Sequence, residues 1–279
     1  MTTESNELKK VVRETYGEIA QHGKSAASCC ASTSCCSTTD FTFSDDYSKK
    51  DGYLADADLG LGCGIPTDVA NIRPGDTVLD LGSGAGNDVF VARSFVGETG
   101  KVIGIDMTPE MIERAEKNRQ KLGYANVDFR LGDIEQMPVA SNSINVAVSN
   151  CVLNLVPDKR KAFAELFRVL IPGGHFAVSD IVLQGDLPPA IKRAAELYAG
   201  CVSGALPKQE YISLIQRAGF QHVEVMKEKR LDLTDELLLA YISREEIDTY
   251  RSSGAGVLSI TVYAEKPASP CCGAAKPCC

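Results

Sequence analysis

The run Val78-Leu79-Asp80-Leu81-Gly82-Ser83-Gly84-Ala85-Gly86-Asn87-Asp88 decides the fold. An apolar segment suited to a buried strand breaks into three alternate glycines and then enters a helix. Glycines at such a turn let the chain bend sharply and let a ligand lie against main-chain N–H groups. The spacing is Gly-x-Gly-x-Gly with an acid two residues ahead of the first glycine, unlike the Gly-x-Gly-x-x-Gly of dinucleotide-binding turns. An acidic turn with an early third glycine suits a nucleotide-like cofactor that lacks a pyrophosphate and carries an ammonium. S-adenosylmethionine meets that description.

Outward from the turn, strand and helix alternate. Thr77 to Leu81 reads as strand, Asp88 to Val96 as helix, Lys101 to Asp106 as strand, and Pro109 to Leu122 as helix with Thr108 as N-cap. Val127 to Leu131 and Ile144 to Ser149 are further strands. A helix from Lys159 to Leu170 stops at Pro172-Gly173-Gly174, and His175 to Leu183 is a long apolar strand. Beyond it, Leu187 to Cys201 and Pro207 to Ala218 read as helices, and Val223 to Lys229 and Val257 to Ala264 as late strands that complete the sheet. Upstream, residues 4 to 22 form an amphipathic helix with Leu8, Val12, Thr15 or Tyr16 and Ile19 on one face, and Thr67 caps a short helix.

This alternation predicts an α/β doubly wound parallel sheet covered by helices. Asp106 ends the second strand, where such a fold presents an acid to the two ribose hydroxyls, and Met107 follows it. Gly132-Asp133-Ile134 places another acid at the same edge, suited to an adenine amino group. Asp80, Gly82, Ser83, Gly84 and Gly86, then Asp106, then Asp133, each at a strand's carboxyl end, favour a Rossmann-like class I methyltransferase over a dinucleotide enzyme. Asn150 and Val152 flank Cys151 at the mouth of the fourth strand and complete the expected cofactor set.

Composition excludes several classes of function. A formal net charge of -8, no Trp and few aromatics argue against nucleic acid as a partner. No apolar run approaches the roughly 20 residues that cross a bilayer, and Met1 to Lys10 is polar, so the expectation is a cytoplasmic chain without a membrane partner. The 11 cysteines are unusual: Cys29, Cys30, Cys35 and Cys36 lie early, Cys271, Cys272, Cys278 and Cys279 lie late, and Cys63, Cys151 and Cys201 lie between. Reduced thiols awaiting a soft ligand explain them better than a framework of disulfides. Cys151 follows the fourth strand directly, and Cys201 and Cys63 both stand among small residues that permit close approach to a small substrate. The late pairs read first as scavengers of soft metals dispensable for catalysis, and alternatively as a capture site that passes its ion inward.

The chain resembles the arsenite methyltransferase family from about Asp46 to Ala205. Gly62-Cys63-Gly64, Leu79 to Gly86, Gly104 to Thr108, Ser149 to Pro157 and Gly200 to Leu206 carry the resemblance. It implies methyl transfer from S-adenosylmethionine to trivalent arsenic held by thiolates. By that resemblance Cys151 and Cys201 are the main arsenic ligands and Cys63 belongs to the same set. One early cysteine from among Cys29, Cys30, Cys35 and Cys36, taken as Cys30, supplies a further catalytic thiol. Some relatives carry a tyrosine where Leu61 stands, so an aromatic contact to the sulfonium falls to Tyr47 or Tyr53. Arsenite is the implied substrate, and a reductant of the thioredoxin or glutathione type restores the thiols.

Trivalent arsenic prefers thiolate sulfur, and three sulfurs leave it a lone pair. No proton leaves the attacking atom, so no general base is needed, and His22, His175 and His222 read as structural. Two other readings compete: a C- or O-methyltransferase for a quinone or other small molecule, and a thiol-based metalloid sensor without enzymatic activity. The expected division of the chain is 1–45 (N-terminal helix and Cys-rich mobile segment), 46–184 (cofactor domain), 185–265 (arsenite-binding insertion and C-terminal part) and 266–279 (Cys-rich disordered tail).

Overall fold

In the computed structural model, which describes residues 3–22, 45–192, 202 and 204–268, β1 (Thr77–Leu81) is an interior strand of a seven-stranded sheet. Two strands extend from it on one side, β2 (Lys101–Asp106) and then β3 (Val127–Leu131). On the other side lie β4 (Ile144–Asn150), β5 (Leu170–Gln184), β7 (Gly256–Glu265) and β6 (Gln221–Leu231), in that spatial order. The first five strands are parallel, and β7 runs antiparallel to both of its neighbours. The sheet is therefore mixed rather than purely parallel. Chain order reverses between β1 and β4, and that switch point opens a crevice at the carboxyl ends of the strands.

Both faces of β1 are buried, as parallel strands under two helical layers require. Alternation sends Leu79, Leu81, Ile103 and Ile105 to one face, against α4 (Lys159–Val169) and α5 (Lys208–Arg217). Val78 and Val102 point to the other, against α2 (Asn87–Val96) and α3 (Pro109–Leu122). Phe90 and Phe163 anchor the two layers fully buried, each worth about 1.5–3 kcal/mol of transfer free energy. A third cluster caps the carboxyl end of β5 and joins Cys63, Cys151, Val202 and Ala205 to Leu231 and Val257.

Several local expectations are corrected. The strand expected from His175 begins at Leu170, and its pairing with β4 jumps from Ile144↔Leu170 to Val146↔His175, so Pro172-Gly173-Gly174 bulges out of the ladder instead of preceding it. Thr108 occupies the N-cap position of α3 without a side-chain capping bond. Thr67 lies inside a 3-10 turn (Pro66–Asp68) whose N-cap is Ile65, and its buried hydroxyl has no partner. On α1 (Thr3–His22) Leu8 is 44% exposed, while Lys9, Gly17 and Ala20 are buried, so the docked face is rotated from the expected stripe. Two helices beyond those expected, α6 (Asp235–Leu239) and α7 (Arg244–Ser253), lie between β6 and β7. A capping box between Ser243 and Glu246 starts the second of them, a signal legible as Ser-x-x-Glu. The Cys-rich stretch near the start, most of the helix expected over Leu187 to Cys201, and the tail beyond residue 268 lie outside the described residues.

Candidate active site

A cleft opens where β1, β2, β3 and β4 end, lined by the glycine turn, Asp106 and Met107, Gly132 to Ile134, and Asn150 to Val152. Gly82, Gly84 and Gly86 all adopt positive φ (69°, 51° and 99°), which the turn requires and side chains resist. Gly86 itself lies behind the cleft wall: a Cβ there would fall 2.8 Å from Phe90 and 2.9 Å from Phe129. The other residues expected to hold a cofactor, from Asp80 to Val152, share this one cleft.

Three acids gather at its floor. Asp80 is buried, and burial, then the charges of Asp88 and Asp106, push its carboxyl well above the ordinary range. Burial likewise raises Asp88 to about 6, although Tyr47 and Asn150 donate hydrogen bonds that oppose the rise. Asp106 is raised by burial and partly restrained by backbone amides: its Oδ2 accepts from Gly84 N at 2.9 Å and its Oδ1 from Thr108 N at 2.8 Å. Lys9, the one lysine or arginine lining the cleft among the described residues, is paired with Asp133 and Glu135 at 2.6 Å instead of with this cluster. Among the described residues of the cleft lining, the cluster therefore has no lysine or arginine paired with it. Ser83 Oγ and Asn87 Oδ1, on the same wall, are buried without a hydrogen-bond partner. A polar cationic ligand with hydroxyls suits such a set, and S-adenosylmethionine is one.

Asp133 is found with both oxygens engaged: Oδ2 accepts from Lys9 and Oδ1 from Glu135 N at 2.9 Å. Lys9, Val12 and Tyr16 bring α1 into the cleft wall, a contribution sequence reading missed because it depends on how the helix docks. Of the two candidate aromatics, Tyr47 lines the cleft, its hydroxyl 2.8 Å from Asp88 Oδ1 and 3.0 Å from Gly64 O. Tyr53 instead packs behind it and donates to Asp58 at 3.2 Å. His175 bonds Ala70 O at 2.7 Å, and none of the three histidines lines the cleft.

Cys151 stands on the cleft wall in a left-handed backbone conformation, φ 60°, with its N–H donating to Ser179 O at 2.8 Å. A non-glycine residue at positive φ stores strain of order 1–3 kcal/mol and is held by its surroundings. Its sulfur is joined to that of Cys63, 88 residues earlier, with the Cα atoms 5.8 Å apart. Sequence reading expects reduced thiols here, whereas the structure carries a disulfide, in which neither sulfur is a thiolate. Cys201 and the early cysteines, Cys30 included, lie outside the described residues. Val202, next to Cys201, is buried in the same cluster as Cys63 and Cys151.

Residues 72–219 match the model of a methyltransferase domain. The arsenite methyltransferase of Halobacterium salinarum is 41% identical over 275 residues, 94% of this chain and 67% of the relative. The chain belongs to the arsenite methyltransferase family. Another member, the arsenite methyltransferase of Homo sapiens, is 42% identical over 170 residues, 57% of this chain and 44% of that protein. The crystal structure of CrArsM, an arsenic (III) S-adenosylmethionine methyltransferase from Chlamydomonas reinhardtii, aligns with a TM-score of 0.61 and 34% identity over 75% of this chain and 68% of that one. Family membership makes the pairing of Cys63 with Cys151 beside the acidic cleft the central feature to explain.

Proposed function

We propose that this chain is an S-adenosylmethionine-dependent arsenite methyltransferase in which the cleft holds the cofactor and Cys63, Cys151 and Cys201 hold trivalent arsenic. The observation that carries the reading is the position of Cys151, on the wall of the acidic cleft and bonded to Cys63. Asp106 serves the ribose, Asp133 and Ile134 flank the adenine, and Asp80 with Asp88 balances the positive charge of the methionine part. When bound, S-adenosylmethionine supplies an electrophilic methyl group on a sulfonium.

The remaining chemistry belongs to the thiols. Two thiols of a reductant, two molecules of glutathione or the dithiol of a thioredoxin, open the Cys63–Cys151 bond by successive exchange, giving two cysteine thiols and one disulfide on the reductant side. Three cysteine thiols then condense with arsenous acid, forming three arsenic–sulfur bonds and releasing three water molecules. The thiol protons leave in that water, and arsenic retains its lone pair. The protein's task is to aim that lone pair across the wall at Cys151, which is catalysis by positioning, so no general base is required. Residues 46–184 form the cofactor part, and residues 185–265 contribute to the arsenic side.

Incubation with labelled S-adenosylmethionine, arsenite and a thiol reductant, followed by arsenic speciation, tests this. Methylated arsenic is the expected product. A preparation that binds the cofactor but yields none overturns the reading.

A further inference from the structure

The backbone of Cys63 is gripped from both sides by side chains of distant strands. Its N–H donates to Asn150 Oδ1 at 2.9 Å, and its carbonyl accepts from Ser259 Oγ, which stands on β7. Asn150 Nδ2 also donates to the next carbonyl, Gly64 O, at 2.8 Å. The loop lies flush on the sheet edge: a Cβ at Gly62 would fall 2.6 Å from Asn150 Nδ2, and one at Gly64 would fall 2.6 Å from Ser179 Oγ. Asn150 immediately precedes Cys151, so the residue that holds one cysteine's loop is covalently tied to the other cysteine.

We propose that Asn150 and Ser259 are positioning residues that fix the Cys63 thiol against the Cys151 thiol, and so set both the ease with which the pair closes and its grip on a soft ion. A loop held by directed hydrogen bonds presents its sulfur in one place, and the effective concentration of one thiol at the other rises accordingly. Release of either bond lets the loop wander. The dithiol gains freedom, the disulfide does not, and the equilibrium moves toward the dithiol.

The balanced reaction is the protein disulfide with two molecules of glutathione, giving the protein dithiol and one glutathione disulfide. In the full chain the equilibrium constant is read in glutathione buffers by differential alkylation and mass spectrometry of the peptides that carry Cys63 and Cys151. Ser259→Ala is expected to favour the dithiol about tenfold, equivalent to about 30 mV, and Ser259→Thr to restore the parent value. Ser179→Ala is the control, because Ser179 Oγ lies at the same edge but bonds Thr261 Oγ1 at 2.9 Å and not the loop. It loses a comparable buried hydrogen bond and should leave the constant unchanged. A constant within twofold of the parent in Ser259→Ala, or an equal shift in Ser179→Ala, overturns the assignment. Should Ser259→Ala fail to fold, Asn150→Ala gives the same test from the other side of the loop.

The consequence for arsenite rests on the proposed function, so a second measurement separates the two. Equilibrium dialysis of arsenite against the reduced proteins should show binding about tenfold weaker in Ser259→Ala. A shifted redox constant with unchanged arsenite binding supports the positioning role and overturns the assignment of this pair as arsenic ligands.

Discussion

Lys9 on α1 and Glu135 beyond β3, 126 residues apart in sequence, are joined by a 2.6 Å ion pair shielded from solvent, and the same ammonium lies 2.6 Å from Asp133. The contact seals the first helix to the loop that forms one wall of the cleft. Burial opposes the charge on Lys9, but its hydrogen bonds to Asp133 and Glu135 outweigh that and raise its pKa. The stability it contributes is therefore present below the unfolded value and lost as pH climbs through the higher folded one.

Lys9→Met should destabilise the chain by about 3 kcal/mol, because Glu135 is left buried without its counter-charge. Urea unfolding measures this, and Lys9→Met combined with Glu135→Gln should recover much of the loss. The single variant should also bind S-adenosylhomocysteine more weakly, as α1 no longer closes the wall. Unchanged affinity would remove α1 from the cofactor site.

Asp180 lies fully buried within the apolar β5, accepting from Tyr211 Oη at 3.1 Å. Burial drives its pKa up to about 7, against the opposing hydrogen bonds from Tyr211 and from the backbone amides of Ile181 and Asn154, and the attraction of Lys159. The native state thus keeps a proton that the unfolded chain has released, and this group makes stability fall as pH rises from about 4 to 7. Asp180→Asn keeps a partner for Tyr211 and removes that slope. The variant should gain on the order of 2 kcal/mol relative to the parent between pH 5 and pH 8, measured by denaturant unfolding at both.

How much of this was readable beforehand depends on the range of the forces involved. The strands and the glycine turn were legible because apolar runs ending in Gly and Asp are local signals, and Asp80, Asp106 and Asp133 sit where those runs end. Lys9 was not, since its partners are chosen by tertiary docking. The nearness of Cys63 to Cys151 came from family resemblance alone, as an 88-residue separation carries no spacing rule. Asp180 hid in an apolar strand because its partners, Tyr211 and Lys159, come from other elements. The helix at Arg244–Ser253 is marked in the sequence only by its capping box, Ser243 to Glu246, because few of its own residues are apolar.

Asp88 gives the cofactor site a pH dependence. With its carboxyl near 6, lowering the pH from 7 to 5 protonates it and removes a negative charge that faces the cleft. S-adenosylmethionine should bind about tenfold more weakly at pH 5 than at pH 7, with S-adenosylhomocysteine, which lacks the sulfonium, less affected. Calorimetry at the two pH values measures both, and Asp88→Asn should flatten the profile for the charged cofactor. Equal pH responses of the two ligands would show that the acidic cluster does not sense the sulfonium.

Cys151 carries the closing prediction because it belongs to both halves of the site. It lines the cofactor cleft and its sulfur is bonded to Cys63, so substitution at Sγ alone tests whether the two functions separate. Serine keeps the size and the φ of 60° but replaces a soft donor with a hard one that trivalent arsenic binds poorly. Cys151→Ser and Cys63→Ser should each retain the parent's affinity for S-adenosylhomocysteine and lose arsenite methylation by at least on the order of a hundredfold. Cys201→Ser should behave in the same way if it completes the arsenic site. Retained methylation in any of the three removes that cysteine from the ligand set, and lost cofactor binding in Cys151→Ser would mean that the sulfur and its bond to Cys63 also shape the cofactor cleft.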